Sequence, residues 1–206
     1  MPVTDKNLFL ASRSPRRREL LRQIGVGHEL LLLREAAPRA ADVDETPKAG
    51  ETVSDYALRV AVSKARKGLE VIARRAAGMI KPVLAADTTI ALDEAIIGKP
   101  QHAVHAERML QALSGRSHTV ITAVAMAHGE RLETRVSVST VWMRALDTAQ
   151  IRRYIAGGES LDKAGAYAVQ GRAAAFITRI DGSYSGIMGL PLCETAELLA
   201  LFGIDY

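Results

Sequence analysis

A single cysteine, Cys193, stands in this chain of 206 residues, which excludes an intrachain disulfide. Aromatic residues are almost as scarce: one Trp, five Tyr and three Phe leave little with which to stack nucleobases. No apolar run approaches the roughly 18 to 20 residues that span a bilayer; the longest, 173–177 and 198–202, are core-sized, so no membrane partner is expected. The opening stretch MPVTDKNLFLAS carries an acidic residue and only four consecutive apolar positions, too few for the apolar core of a secretory signal, and points to the cytoplasm. Several motifs are missing as well. Without GxxxxGKS/T, a GxGxxG after a strand, HExxH, CxxC or GxSxG, the P-loop, dinucleotide dehydrogenase, zinc protease and α/β-hydrolase classes lose their usual support.

What remains is the composition of an ordinary globular protein, 48% hydrophobic, with no repeat, low-complexity tract or long linker to divide it. We therefore read residues 1–206 as one domain. At this length, folding buries roughly 70% of the surface the unfolded chain exposes, enough for a sizeable core. The 27 Lys and Arg exceed the 23 Asp and Glu by a net +4, and the isoelectric point is about 9.4. Distribution matters more than the total. Arg13, Arg16, Arg17, Arg18 and Arg22 crowd into ten residues while the remaining cations are mixed with acids, which favours one local anion site over an extended nucleic-acid face.

The pattern of elements predicts a mixed α/β fold. A short apolar strand at 8–11 runs into a helix with Ser14 at its N-cap, Pro15 at its first position and Gly25 as its stop. A second helix starts at Thr52, with Asp55 three residues on, and follows the stripe Val53, Tyr56, Ala57, Val60 and Ala61 toward Gly78. VLAADTTIAL (83–92) is too apolar for a half-exposed strand. A third helix follows around Ala106, Met109, Leu110 and Leu113. Two β-stretches, 118–127 and 132–143, flank HGER as a hairpin. Asp147 and Gln150 form the capping box of a fourth helix, and a glycine-rich segment (157–171) leads to a strand at 176–180 and a last helix after Pro191. Adjacent β-stretches exclude an all-parallel sheet.

Some residues break local rules. Arg16, Arg17 and Arg18 occupy the first turn of a helix, where the dipole disfavours cations by about 0.3 to 1 kcal/mol each. A phosphate bound there, with Ser12 and Ser14 adding hydroxyls, would offset that; a solvated surface cluster is the alternative. Asp87 interrupts a buried strand beside Thr88, and must be paired, coordinated to a metal, or at the strand's end; metal binding or base catalysis is one reading and a structural salt bridge the other. Lys64 continues the apolar stripe of the second helix, as a snorkelling lysine or a buried cation. Lys99 sits in a Gly-Lys-Pro turn, and Gln170 between glycine-rich turns is either a two-sided hydrogen-bonding group or a loop filler. Asp42, Asp44 and Glu45 could offer an oxygen ligand to a hard cation. His118, in SGRSHTV, suits a strand-end hydrogen bond better than a nucleophile.

Taken in order, LASRSPRRRELLRQIG (10–25), VDE (43–45), SKA (63–65), AADTTI (85–90), GKP (98–100), LSGRSHTVITAV (113–124), DKAGAYAVQG (162–171) and GSYSGIMGLPL (182–192) resemble the Maf family of nucleoside triphosphate pyrophosphatases. The resemblance implies a Maf/ITPase-like elongated, twisted mixed sheet flanked by helices, two lobes around a deep cleft, and a homodimer. It also implies a divalent cation, Mg²⁺ or Mn²⁺, and cleavage between the α and β phosphates to give a nucleoside monophosphate and pyrophosphate. Residue by residue, it places Ser12, Arg16, Arg17, Lys64 and Lys99 on the triphosphate, Asp87 as the catalytic base, and Glu45 with Asp87 on the metal. It associates Arg16, Thr88 and Gln170 with substrate choice. Thr after the catalytic Asp and a later Gln resemble the group that cleaves dTTP and UTP. Two other readings remain beside it: a 7-methyl-GTP pyrophosphatase, and a nucleotide-binding regulator of septum formation without turnover. Arg13 and Ala86 depart from the Gly or Asn and the Gly frequent in the family.

Overall fold

The computed structural model describes residues 6–34, 40–75 and 81–206. Its elements run β1 (Leu8–Leu10), α1 (Pro15–Gln23), β2 (His28–Leu30), α2 (Val53–Arg75), β3 (Val83–Leu92), β4 (Ala95–Ile97), α3 (Ala103–Leu113), β5 (Ser117–His128), β6 (Arg131–Met143) and α4 (Thr148–Ala156). Two 3₁₀ segments (Ala164–Ala166 and Arg172–Phe176), β7 (Ile177–Asp181), α5 (Tyr184–Met188) and α6 (Leu192–Leu201) complete the described chain. Among the described residues, no helix is long and apolar enough to cross a membrane.

Seven strands form one open, mixed sheet in the order β2-β1-β3-β5-β6-β7, with β4 folded back on β3. β1 is parallel to both β2 and β3, and the remaining pairs are antiparallel. The expected mixed α/β architecture is thus present. β3 explains its own composition: covered on both faces, it has only one position, Thr88, that is not buried.

Side chains alternate across a strand, so β3 serves two layers at once. Val83 and Ala85 face α2, where Ala57, Ala61 and Ala65 keep the helix close to the sheet. Gly68 tightens this contact further, because a Cβ there would stand 2.7 Å from Val83 Cγ1. On the opposite face Leu84 and Ala86 pack with Leu20 and Leu21 of α1 and Leu198 and Leu199 of α6. Farther along that face, Ile90 and Leu92 join Leu110, Leu113 and Tyr154. Asp87 and Thr88 fall between these stretches of core.

Several local expectations hold for local reasons. Thr52 Oγ1 accepts from Asp55 N at 3.1 Å, and the Asp147–Gln150 capping box is complete. The HGER hairpin turns at Gly129–Glu130 between His128 and its partner Arg131. Ser14 does hold the N-cap position of α1, but it makes no side-chain cap; instead its N–H donates to Ser12 Oγ at 3.1 Å. Gly78, the expected stop of α2, lies outside the described residues. Phe176 closes a 3₁₀ segment, and the final strand starts one residue later. β2, β4 and α5 escape pattern reading because three to five residues carry too little periodicity; a neighbouring strand or loop makes them regular.

Candidate active site

Asp87 lies mid-strand opposite Ala123, on the α2 face of the sheet, and is 8% exposed. Lys64 reaches it from α2: Nζ donates to Asp87 Oδ1 at 2.8 Å and sits 3.0 Å from Glu45 Oε1. Thr89 Oγ1 donates to the other oxygen, Oδ2, at 3.3 Å. The lysine on the apolar stripe is therefore ion-paired, and the buried aspartate finds its partner 23 residues away in sequence.

Of the acidic patch before α2, one member reaches this centre. Asp42 is taken by Arg34 at 2.6 Å, which holds its carboxyl down at about 2. Asp44 accepts from Thr46 N at 2.9 Å. Glu45 alone is brought to Lys64, and the scaffolding that does this was not foreseen. Arg59 donates to Glu51 Oε1 at 2.6 Å and Oε2 at 2.9 Å while holding the carbonyls of Asp44 and Thr46 at 3.0 Å each. Tyr56 donates its hydroxyl to the Glu45 carbonyl at 3.0 Å. Burial, with Asp87 and Glu45 nearby, pushes that phenol up to about 12, so it stays a donor. Tyr56 belonged to the predicted apolar stripe; its polar tip was the available signal.

The other face of β3 carries a second group. Arg17, in the first turn of α1, donates through Nε to the Gly189 carbonyl at 2.7 Å, through Nη1 to Ser12 Oγ at 3.3 Å and through Nη2 to Thr88 Oγ1 at 3.2 Å. Thr122, paired with Thr88 across the sheet, donates to the Gly186 carbonyl at 2.7 Å and sits 3.0 Å from Thr88 Oγ1. Burial pulls the Arg17 guanidinium below its ordinary value, while Asp87 and Glu45 draw it back up. The two groups therefore share one electrostatic neighbourhood although Asp87 and Thr88 leave the strand on opposite sides.

Not every predicted residue converges here. Arg16, partly exposed, makes no hydrogen bond or ion pair among the described residues, but its charge is felt by Asp162 in the glycine-rich segment. Lys99 and Gln170 are exposed and have no hydrogen-bond partner among the described residues. The turn bearing Lys99 is nevertheless tied to that segment, since Gly165 N donates to the Gly98 carbonyl at 3.1 Å. The two departures sit comfortably: Arg13 donates to the Leu33 carbonyl at 3.1 Å, and Ala86 is fully buried core.

Glu45 and Asp87 fit a divalent cation as donors. Both direct carboxylate oxygens to the same ammonium, and a hard cation takes one or two carboxylates with the rest of its shell from water and phosphate. Among the described residues no group of three or more His, Cys, Asp or Glu side chains could cage an ion by itself.

Two carboxylates sharing a lysine, and a partly buried guanidinium at a helix start, sit on the mixed open sheet of an α/β protein. The chain belongs to the Maf family, whose model, described as Maf-like protein, matches residues 7–202. It is 53% identical over 198 residues to the dTTP/UTP pyrophosphatase of Nitrosomonas europaea, covering 96% of this chain and 95% of that one. It is 55% identical over 204 residues to the protein of the same name from Aromatoleum aromaticum, covering 98% of both. A third, from Chromobacterium violaceum, is 47% identical over 206 residues, covering 100% of this chain and 99% of its own.

Proposed function

We propose that this chain is a nucleoside triphosphate pyrophosphatase that hydrolyses dTTP and UTP to the monophosphate and pyrophosphate, with residues 1–206 acting as one catalytic unit. The observation that carries the reading is the Glu45–Lys64–Asp87 chain, set beside Arg17 in a protein about half identical, over nearly its whole length, to relatives named dTTP/UTP pyrophosphatase.

The chemistry follows from the charges. A triphosphate brings about four negative charges, and Arg16, Arg17, Lys64 and Lys99 supply four positive ones, with Ser12 and the open N-terminus of α1 adding neutral donors. Arg16 and Lys99, which have no hydrogen-bond partner to surrender among the described residues, engage the polyanion at least cost. Asp87 orients a water toward the α phosphorus and accepts its proton as the new P–O bond forms. The bond between the α phosphorus and the bridging oxygen breaks, and that oxygen leaves with the pyrophosphate. Lys64, already against Asp87, faces the charge that develops on the α phosphate. Glu45 and Asp87 would hold the divalent cation together with phosphate oxygens. When bound, that ion supplies Lewis-acid neutralisation of the leaving group. Thr88, Arg16 and Gln170 are read as the residues of base selection, and the enzyme as a cytoplasmic homodimer.

The test is pyrophosphate and orthophosphate release from dTTP, UTP, CTP, GTP, ATP and 7-methyl-GTP with Mg²⁺ or Mn²⁺. Pyrophosphate from dTTP and UTP, abolished by EDTA, is the expected result. Preference for 7-methyl-GTP would overturn the subgroup, and no release from any nucleotide would overturn the activity.

A further inference from the structure

The imidazole of His118 is 3% exposed, lies on the face of β5 that packs with Val120 and Tyr167, and takes no part in the reaction described above. Its Nε2 is 2.7 Å from Tyr167 Oη, with the two rings edge to face at 5.4 Å between centroids. Its Nδ1 is buried with no hydrogen-bond partner among the described residues. A buried polar side chain that gives up one of its two nitrogens must gain from the bond it does make. Among the described residues, the titratable groups placed by it are Tyr167 and, along the same surface hollow, Asp93 and Glu94.

Tyr167 stands at the centre of the DKAGAYAVQG segment, whose backbone is strained just before it. Gly165 and Ala166 both adopt left-handed φ, +66° and +61°, and Ala166 is fully buried. A non-glycine residue keeps that conformation only where its surroundings over-determine it. Gly165 has no room for a side chain: a Cβ there would meet Ile90 Cδ1 at 2.7 Å. Among the described residues, three bonds tie the turn to other parts of the fold: Gly165 N to the Gly98 carbonyl, Ala168 N to Tyr154 Oη at 3.2 Å, and the Tyr167–His118 pair. The segment they hold starts at Asp162, within the field of Arg16, and carries Gln170 next to its last residue, Gly171.

We infer that His118 is a positioning residue for the pyrophosphatase reaction: through Tyr167 Oη it locks the strained 165–170 turn and so sets where Gln170 and its neighbours stand for base selection. The inference rests on the proposed reading of this segment as the one that discriminates bases. His118 touches neither substrate nor the reacting atoms; its effect passes entirely through Tyr167.

Steady-state kinetics with UTP and GTP test it in Tyr167→Phe, His118→Leu, His118→Gln and Gln170→Ala, each checked for its melting temperature. Tyr167→Phe keeps the ring and removes only the hydroxyl. It and His118→Leu are expected to lower the UTP-over-GTP ratio of kcat/KM by about tenfold, the loss of one well-placed hydrogen bond, mainly through KM. His118→Gln, which returns a neutral polar group to the position of Nε2, restores most of the ratio. An unchanged ratio in both Tyr167→Phe and His118→Leu, whatever their melting temperatures, overturns the inference and leaves the pair as core packing. Gln170→Ala separates the two readings. If it leaves the ratio intact while Tyr167→Phe lowers it, positioning stands and the base contact belongs to another residue of the turn. If Gln170→Ala lowers the ratio and Tyr167→Phe does not, positioning falls and Gln170 keeps its role.

Discussion

Lys64 Nζ and Asp87 Oδ1 meet at 2.8 Å across the narrow gap between α2 and β3, with 16% and 11% of their side-chain surfaces exposed. The alanines that line that gap, Ala57, Ala61, Ala65 and Ala85, set its width. A bulkier stripe would hold the ammonium out of reach of the strand, so the small residues of the core serve the site directly.

Removing the charge of Asp87 without its volume tests its role as base. Asp87→Asn retains the fold and still binds dTTP, while turnover falls by a factor on the order of 100 or more. Pyrophosphate release beside a nucleotide-binding titration checks both halves, and undiminished turnover would remove Asp87 from the mechanism. Lys64→Met is the harsher change: it leaves two carboxylates without their shared cation and is expected to cost about 1 to 3 kcal/mol in denaturant unfolding as well as activity.

Arg16 and Arg17 are neighbours with different duties, and alanine substitutions should separate them. Arg17 holds Ser12, Thr88 and the Gly189 carbonyl, so Arg17→Ala lowers stability by about 2 kcal/mol as well as raising KM. Arg17→Lys does not restore it, because an ammonium lacks the planar fork that serves three acceptors. Arg16 has no such partners. Arg16→Ala raises KM for the triphosphate with the melting temperature unchanged, and an unchanged KM would mark this arginine as surface.

Glu51 and Arg59 act only through the loop they hold. Arg59→Gln frees the carbonyls of Asp44 and Thr46 and with them Glu45, which lies 48% exposed at the end of its reach to Lys64. The expected outcome is a raised Mg²⁺ requirement at nearly unchanged UTP affinity, read from activity against metal concentration. An Mg²⁺ requirement identical to that of the parent chain would mean that Glu45 needs no such support.

Stability against pH carries the signature of buried His118 and half-buried His28. Burial pushes His118 down to about 4 from an ordinary 6.5, and lowers His28 by the same cause. Between those values the unfolded chain binds a proton that the folded chain refuses. Stability is therefore complete above about pH 6.5 and declines as pH falls toward 4. Asp42 and Glu51, held near 2 by Arg34 and Arg59, act in a lower window: their contribution is present above the ordinary carboxylate range and is lost as pH falls through 2. Both lie at the solvent boundary, so their share is small. Melting temperatures from neutral pH down to about 4 should slope downward in the parent chain and less in His118→Gln; equal slopes would exclude His118 as a source.

The amino-acid sequence by itself determined what depends on neighbours a few residues apart. Helical stripes and caps placed α1 to α4, the apolar run placed β3, and the misfit of Asp87, Lys64 and the arginine cluster with their local surroundings marked them as residues requiring partners. Such signals survive because propensity, capping and burial periodicity act over one or two turns. Only the tertiary structure decided which partners they found. Lys64 meets Asp87 and not water, Glu45 and not Asp42 joins them, Arg17 finds three acceptors while Arg16 finds none among the described residues, and Thr88 leaves β3 away from Asp87. These choices span 23, 71 and 172 residues of chain in the bonds of Lys64 with Asp87 and of Arg17 with Thr88 and Gly189. They follow from how closely α2 packs on the sheet and from where the turn between α5 and α6 returns, because hydrophobic burial brings distant segments together and hydrogen-bond geometry then selects among the polar groups within reach.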